Sequence, residues 1–188
     1  KGIYQSIEAD VEEHGSAVVM TAKLIGEMMR VLPDGMVAVE VADGGKTTVK
    51  CGMSEFSFMS LPAEDYPELP ESDYADAISL EQQKLSELIE QTIFAVSTNE
   101  SRPVYMGSLF ELDENRLTVV SVDGYRLALR RAEVNGKTQS ASFIVPGSVL
   151  QDVARLCSKG EDPVMIDLGE RHVSFTIGDT VVVSRLLE

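Results

Sequence analysis

The stretch Val122-Asp123-Gly124-Tyr125-Arg126-Leu127 gathers a carboxylate, a phenol and a guanidinium between two apolar residues. Apolar residues alternate on either side of the Asp-Gly pair from Thr118 to Leu129, the strongest short-range signal for a tight hairpin turn. Asp123 and Gly124 can both take the positive-φ conformations that such a turn demands. The turn sets Tyr125 and Arg126 at a sheet corner beside Val122 and Leu127. That mixture suits a small surface pocket for a peptide better than bond-making chemistry.

Reactive groups are sparse elsewhere. The chain has no dinucleotide-binding G-x-G-x-x-G, no Walker loop, no H-E-x-x-H and no G-x-S-x-G. His14 sits in an acidic turn and His172 follows Arg171 at the start of a strand, so both read as surface residues. Glu12-Glu13 and Glu64-Asp65 could bind a metal, but paired carboxylates are also the ordinary make-up of solvated turns. Cys51 and Cys157 are far apart and lack metal-ligand spacing, which leaves them as small apolar residues with free thiols in a cytoplasmic protein. No catalytic residue, metal or cofactor is expected. Two rival readings stay open: a small α+β enzyme using Asp123, Arg126 and His172 (or a His172–Asp167 pair), and a regulatory ligand-binding domain with a closed apolar cavity beneath Asp123-Gly124.

With 44% hydrophobic and 25% charged residues among 188, the composition is that of a soluble globular chain long enough for one large domain or two small ones. No apolar run approaches the roughly 20 residues a membrane helix needs, and no signal peptide is visible. The formal net charge of −15 argues on its face against a nucleic-acid partner, so the positions of the few cations matter. Lys23 and Arg30 lie seven apart and share a helix face, while Arg155 and Lys159 fall at the end of another helix. These cations fit either a solvated face favoured by the helix dipole or a sparse positive lining toward phosphates that reads no bases.

The elements that carry these residues repeat. Residues 3–11 and 16–20 alternate as strands. Thr21 caps a helix to Leu32 with Leu24, Ile25, Met28 and Leu32 inward, and strands at 36–41, 47–51 and 56–61 follow. Residues 143–145, a helix over 146–157 and strands at 164–168, 173–177 and 181–186 restate that plan. Between them lie a strand and helix over 77–96, with Ser79 as candidate cap, and strands at 104–111, 116–122 and 127–134. The proline-rich acidic stretch 62–74 reads as an interdomain connector, with Tyr66 and Leu69 pinned against a neighbour. The opening strand needs a partner preceding it, which suggests a fragment of a longer protein.

Ser121-Val122-Asp123-Gly124-Tyr125-Arg126-Leu127-Ala128 resembles the [TS]-x-[TV]-D-G-[HY]-R-L-A segment of the bacterial sliding clamps, the β subunit of DNA polymerase III. Leu61-Pro62-Ala63-Glu64-Asp65-Tyr66-Pro67, Gly107-Ser108-Leu109-Phe110-Glu111 and Phe143-Ile144-Val145-Pro146 agree with that family in order and spacing. The resemblance implies an α+β fold of repeated β-α-β-β-β units (the DNA-clamp fold), with helices on one face of antiparallel sheets. It makes residues 1–61 the second half of a first clamp domain, 62–74 a connector and 75–188 most of a second.

The family forms head-to-tail homodimer rings around duplex DNA. Its members tether the polymerase catalytic subunit, the clamp loader and other proteins through a short linear motif of Gln-x-x-Leu-Phe type. Matching residues make Tyr105, Val122, Gly124, Tyr125, Arg126 and Leu127 one wall of the peptide pocket, the other wall lying beyond residue 188. The loop 97–105 touches DNA in the family, which adds Asn99 and Arg102 to Lys23, Arg30 and Arg155 as DNA-facing residues. Pro103 and Val104 stand where the family carries a Tyr pair, and Gly147 and Ser148 where basic residues can follow Val-Pro. Met28, Lys46 and Phe58 match positions near the family's subunit interface.

Overall fold

The computed structural model describes residues 1–13, 17–64, 66–68, 77–136, 140–157 and 162–188. His14, Asp65, Leu69 and Lys159, and most of the connector 62–74, lie outside those residues. The chain divides into two compact units, Glu8–Glu68 and Lys1–Ile7 with Leu69–Glu188.

The opening strand β1 (Gly2–Gln5) belongs to the larger unit. The smaller unit starts with β2 (Val18–Val19) and α1 (Ala22–Val31). Thr21 stands at the N-cap of α1 but makes no side-chain cap bond. Strands β3 (Ala38–Val41), β4 (Lys46–Cys51) and β5 (Ser54–Met59) form an antiparallel sheet in that order. The two-residue β6 (Leu61–Pro62) pairs with β2, so Pro62 sits where a missing amide costs least. Tyr66 is 64% exposed and therefore not pinned. Its amide donates to the Ala63 carbonyl at 2.9 Å, a local turn that holds the backbone and leaves the ring out.

The larger unit continues with β7 (Ile78–Glu81) and α2 (Gln82–Glu90), then β8 (Gly107–Asp113), β9 (Arg116–Val122) and β10 (Leu127–Glu133). The plan then repeats as β11 (Ala141–Pro146), α3 (Gly147–Leu156), β12 (Pro163–Leu168), β13 (His172–Ile177) and β14 (Thr180–Arg185). Each repeat lends its first strand to the other: β7 pairs with β12, and β11 pairs with β8. The resulting sheets run β10-β9-β8-β11 and β1-β14-β13-β12-β7, all antiparallel. The expected repeats are present, but the exchange between them is not something alternation can encode. The opening strand likewise pairs with β14, near the other end of the chain.

Two local expectations yield to pairing. Ser79 does not cap α2; it lies within β7 opposite Met165, and its amide and carbonyl bond Asn135 at 2.8 and 2.9 Å. The expected strand start at Val104 is a 3-10 turn over Pro103–Met106, because the Tyr105 amide donates back to Arg102 at 3.0 Å.

The core of this unit lies between the helices and the two sheets. Leu85, Leu88 and Ile89 of α2 meet Val149, Leu150 and Val153 of α3 above Phe110, Leu117, Val119 and Phe175, all buried. Each such side chain contributes about 1.5–3 kcal/mol of burial. Thr92, also fully buried, satisfies its hydroxyl on the Leu88 carbonyl at 2.7 Å. Helix α1 of the smaller unit, by contrast, buries no residue fully.

Candidate functional site

The β9–β10 connection is built around a carboxylate. Val122 pairs with Leu127, leaving Asp123 to Arg126 to reverse the chain. The Asp123 amide donates to the Arg126 carbonyl at 3.3 Å, which puts Gly124 and Tyr125 at the corner, one place later than the Asp-Gly centre expected. Gly124 takes φ +93° with nothing within 4 Å of a Cβ placed there. Asp123 is not in the positive-φ region. Its Oδ1 instead accepts the amides of Tyr125 and Arg126 at 3.0 and 3.1 Å, and its Oδ2 accepts Arg126 Nε at 2.8 Å. An aspartate that can cap amides two and three residues on removes the need for a second left-handed residue.

The Tyr125 amide above all, and the Arg126 side chain and amide with it, hold the Asp123 carboxyl below its ordinary value of 3.8. Partial burial pushes the other way without prevailing. A depressed carboxyl stabilises the fold above its unfolded pKa and loses that contribution as pH falls through the folded one. In an NMR titration the Asp123 carboxyl should therefore titrate below 3.8, with the Tyr125 and Arg126 amide signals moving at the same midpoint. A midpoint at or above the ordinary value would remove this account of the turn.

The turn exposes apolar surface. Tyr125 is 100% exposed, Leu127 63% and Leu129 42%. Leu127 and Leu129 lie on one sheet face with their partners Val122 and Val120, and Leu109 pairs with Val120 on the same face. Arg126 reaches Phe94, in the 3-10 turn Ile93–Ala95, with its guanidinium carbon 5.7 Å from the ring centroid. Sequence reasoning named Val122, Gly124, Tyr125, Arg126 and Leu127 but missed Phe94, Leu129, Val120 and Leu109. Extending the alternation of β9 and β10 could have found the last three. Phe94 carries no such signal, because its neighbours in space are 32 positions away in sequence.

Tyr105 lies two residues before β8. The buried Ser108 and Ser121 hydroxyls bond at 2.7 Å, and continuing that register sets Gly107 level with Val122. The Tyr105 carbonyl accepts the Ser97 amide at 2.8 Å and Arg102 lies 5.9 Å over its ring. Asn99 spends its side-chain oxygen on the Ser101 amide at 3.0 Å. His172 sits in β13 opposite Arg185, in the other sheet, and no contact among the described residues joins it to Asp123 or Arg126.

Arg30 and Arg155 occupy the ninth position of ten-residue helices, α1 and α3, and both are exposed. Lys23 lies 4.0 Å from Glu27 and Arg155 lies 3.3 Å from Asp152, which Lys1 also contacts. Lys23 and Arg155 thus each sit beside a carboxylate that thins their field. Met28 is half-buried on α1. Lys46 and Phe58 pair with Met59 and Thr47, adjacent rungs, so the two residues point to opposite faces of their sheet. Cys51 and Cys157 are free thiols, and burial pushes Cys157 up to about 11.

Residues 79–188 match the family described as DNA polymerase III beta subunit, central domain, and residues 2–70 the N-terminal domain of the same subunit. The chain is 33% identical to the beta sliding clamp of Halalkalibacterium halodurans, over all of its own length and 50% of that protein's. It is 32% identical to that of Bacillus subtilis over 95% of the chain and 47% of that protein. The solved DNA polymerase sliding clamp of Bacillus subtilis superposes with a TM-score of 0.89 at 30% identity, covering 99% of this chain and 51% of that one. The sliding clamp of Pseudomonas aeruginosa, solved with ligand, gives 0.89 at 28% identity, with coverage of 99% and 51%. The chain spans about half the length of the relatives it matches.

Proposed function

The chain belongs to the DNA polymerase III β-subunit family, the bacterial sliding clamps, and on that premise we propose that it serves as part of a ring that encircles duplex DNA and tethers replication proteins through a peptide pocket at the β9–β10 turn. The observation that carries the proposal is the grouping of exposed Tyr125, Leu127 and Leu129 around a turn that Asp123 makes rigid. A soluble surface keeps such residues together where a partner covers them. A pre-formed turn also spares the partner an ordering cost. In this reading residues 1–61 would supply the second half of a first clamp domain and 75–188 most of a second, joined by 62–74. Met28, Lys46 and Phe58 would lie toward a subunit boundary of a homodimer ring, with the polymerase catalytic subunit and the clamp loader among the tethered partners.

The acidic balance supports sliding more than gripping. A net charge of −15 repels phosphates, and Lys23, Arg30 and Arg155 at helix ends, with Asn99 and Arg102 in a loop, would offer only shallow attraction. A ring holds duplex by topology and needs little more. No helix among the described residues is long and apolar enough to cross a membrane.

Two measurements test the proposal. Titrating a Gln-x-x-Leu-Phe peptide into the labelled chain should move the amides of residue 105 and residues 122–127; shifts scattered over the rest of the surface would refute the pocket. Duplex DNA should bind the 188-residue chain weakly and without sequence preference. Three phosphate contacts correspond to a log–log salt slope of about −3. Tight binding that survives high salt would contradict the DNA half of the reading.

A further inference from the structure

Arg126 is held from two sides. Asp123 Oδ2 takes its Nε at 2.8 Å, and the Phe94 ring lies 5.7 Å from the guanidinium carbon. Neither partner can follow a wandering side chain. Asp123 is tied through Oδ1 to the amides of Tyr125 and Arg126. Phe94 sits in a single 3-10 turn between fully buried Thr92 and Ala95, whose backbones bond each other at 3.0 Å. Phe94 is nevertheless 56% exposed, so burial in the core does not account for its place.

With Nε engaged, the two terminal amino groups of Arg126 have no acceptor among the described residues. They form a pre-set fork on a side chain that is still 57% exposed. Asp123 already compensates the guanidinium charge, so the fork favours neutral carbonyl oxygens over carboxylates.

We propose that Phe94 is a positioning residue for Arg126: its ring and the Asp123 carboxylate together hold the guanidinium so that its terminal amino groups meet main-chain carbonyls of a docked peptide. The peptide part of this inference rests on the docking reading above; the positioning of Arg126 does not.

The test uses the 188-residue chain with Phe94→Leu and Phe94→Trp. In the free wild type the Arg126 Nε–H signal should be shifted upfield by the ring and protected from water exchange. Phe94→Leu should return it toward the value of a free arginine, and Phe94→Trp should restore the shift and protection. A Gln-x-x-Leu-Phe peptide should bind Phe94→Leu about 3-fold to 5-fold more weakly and Phe94→Trp as well as wild type. Its affinity for the wild type should change little with added salt. An Nε–H signal that ignores Phe94→Leu overturns the positioning. Unchanged peptide affinity in that variant overturns the consequence for docking, and a steep salt dependence overturns the choice of carbonyls over carboxylates. A wild-type chain that binds no peptide refutes the docking reading and, with it, the peptide half of this inference, while the Nε–H comparison still decides whether Phe94 positions Arg126.

Discussion

Leu127→Asp should abolish peptide docking in a protein that still folds. Leu127 is 63% exposed and stands on β10, an edge strand, so the folded chain loses little when it changes. A docked peptide would cover that position and leave a carboxylate desolvated beside Val122 and Leu129. The lost apolar area and the uncompensated charge together cost about 2 kcal/mol or more, at least a 30-fold loss. Millimolar binding, near −4 kcal/mol, is what a single wall of the pocket would give, so the variant should show no shifts at accessible concentrations. Wild-type shifts that persist unchanged in a folded Leu127→Asp chain would move the docking site elsewhere.

Phe110→Ala should have the largest effect on stability. Phe110 on β8 is fully buried and stacks on Phe143 of β11, with centroids 5.5 Å apart, at the seam where one repeat lends its strand to the other. Removing its ring opens a cavity against residues of both repeats, and a buried Phe→Ala change costs about 3–5 kcal/mol. Denaturant unfolding monitored on the larger unit would measure it. A loss below about 1 kcal/mol would mean that the repeats do not depend on this seam. The Asp123–Arg126 turn lies outside the cavity, so peptide shifts in the fraction still folded should keep their wild-type pattern.

The turn was legible in the sequence because its chemistry is local. Asp123, Gly124 and the alternation around them specify a reversal within a dozen residues, and the misplacement of its centre by one position came from the same local source. Preference tables allow Asp at positive φ, whereas here its side chain caps amides and only Gly124 bends. Ser79 failed as a cap for a different reason. Its amide and carbonyl are both bonded to Asn135, more than fifty positions away, and its place is within β7, opposite Met165.

Residue order thus carried the repeat count, most strand and helix positions and the turn at residues 122–127, since periodicity and turn preference act between neighbours. It did not carry the exchange of β7 and β11 between repeats, the pairing of β1 with β14 or the approach of Phe94 to Arg126. Those follow from which apolar faces can be buried together once the whole chain is present. A strand's alternation says which side faces inward; only long-range packing selects its partner.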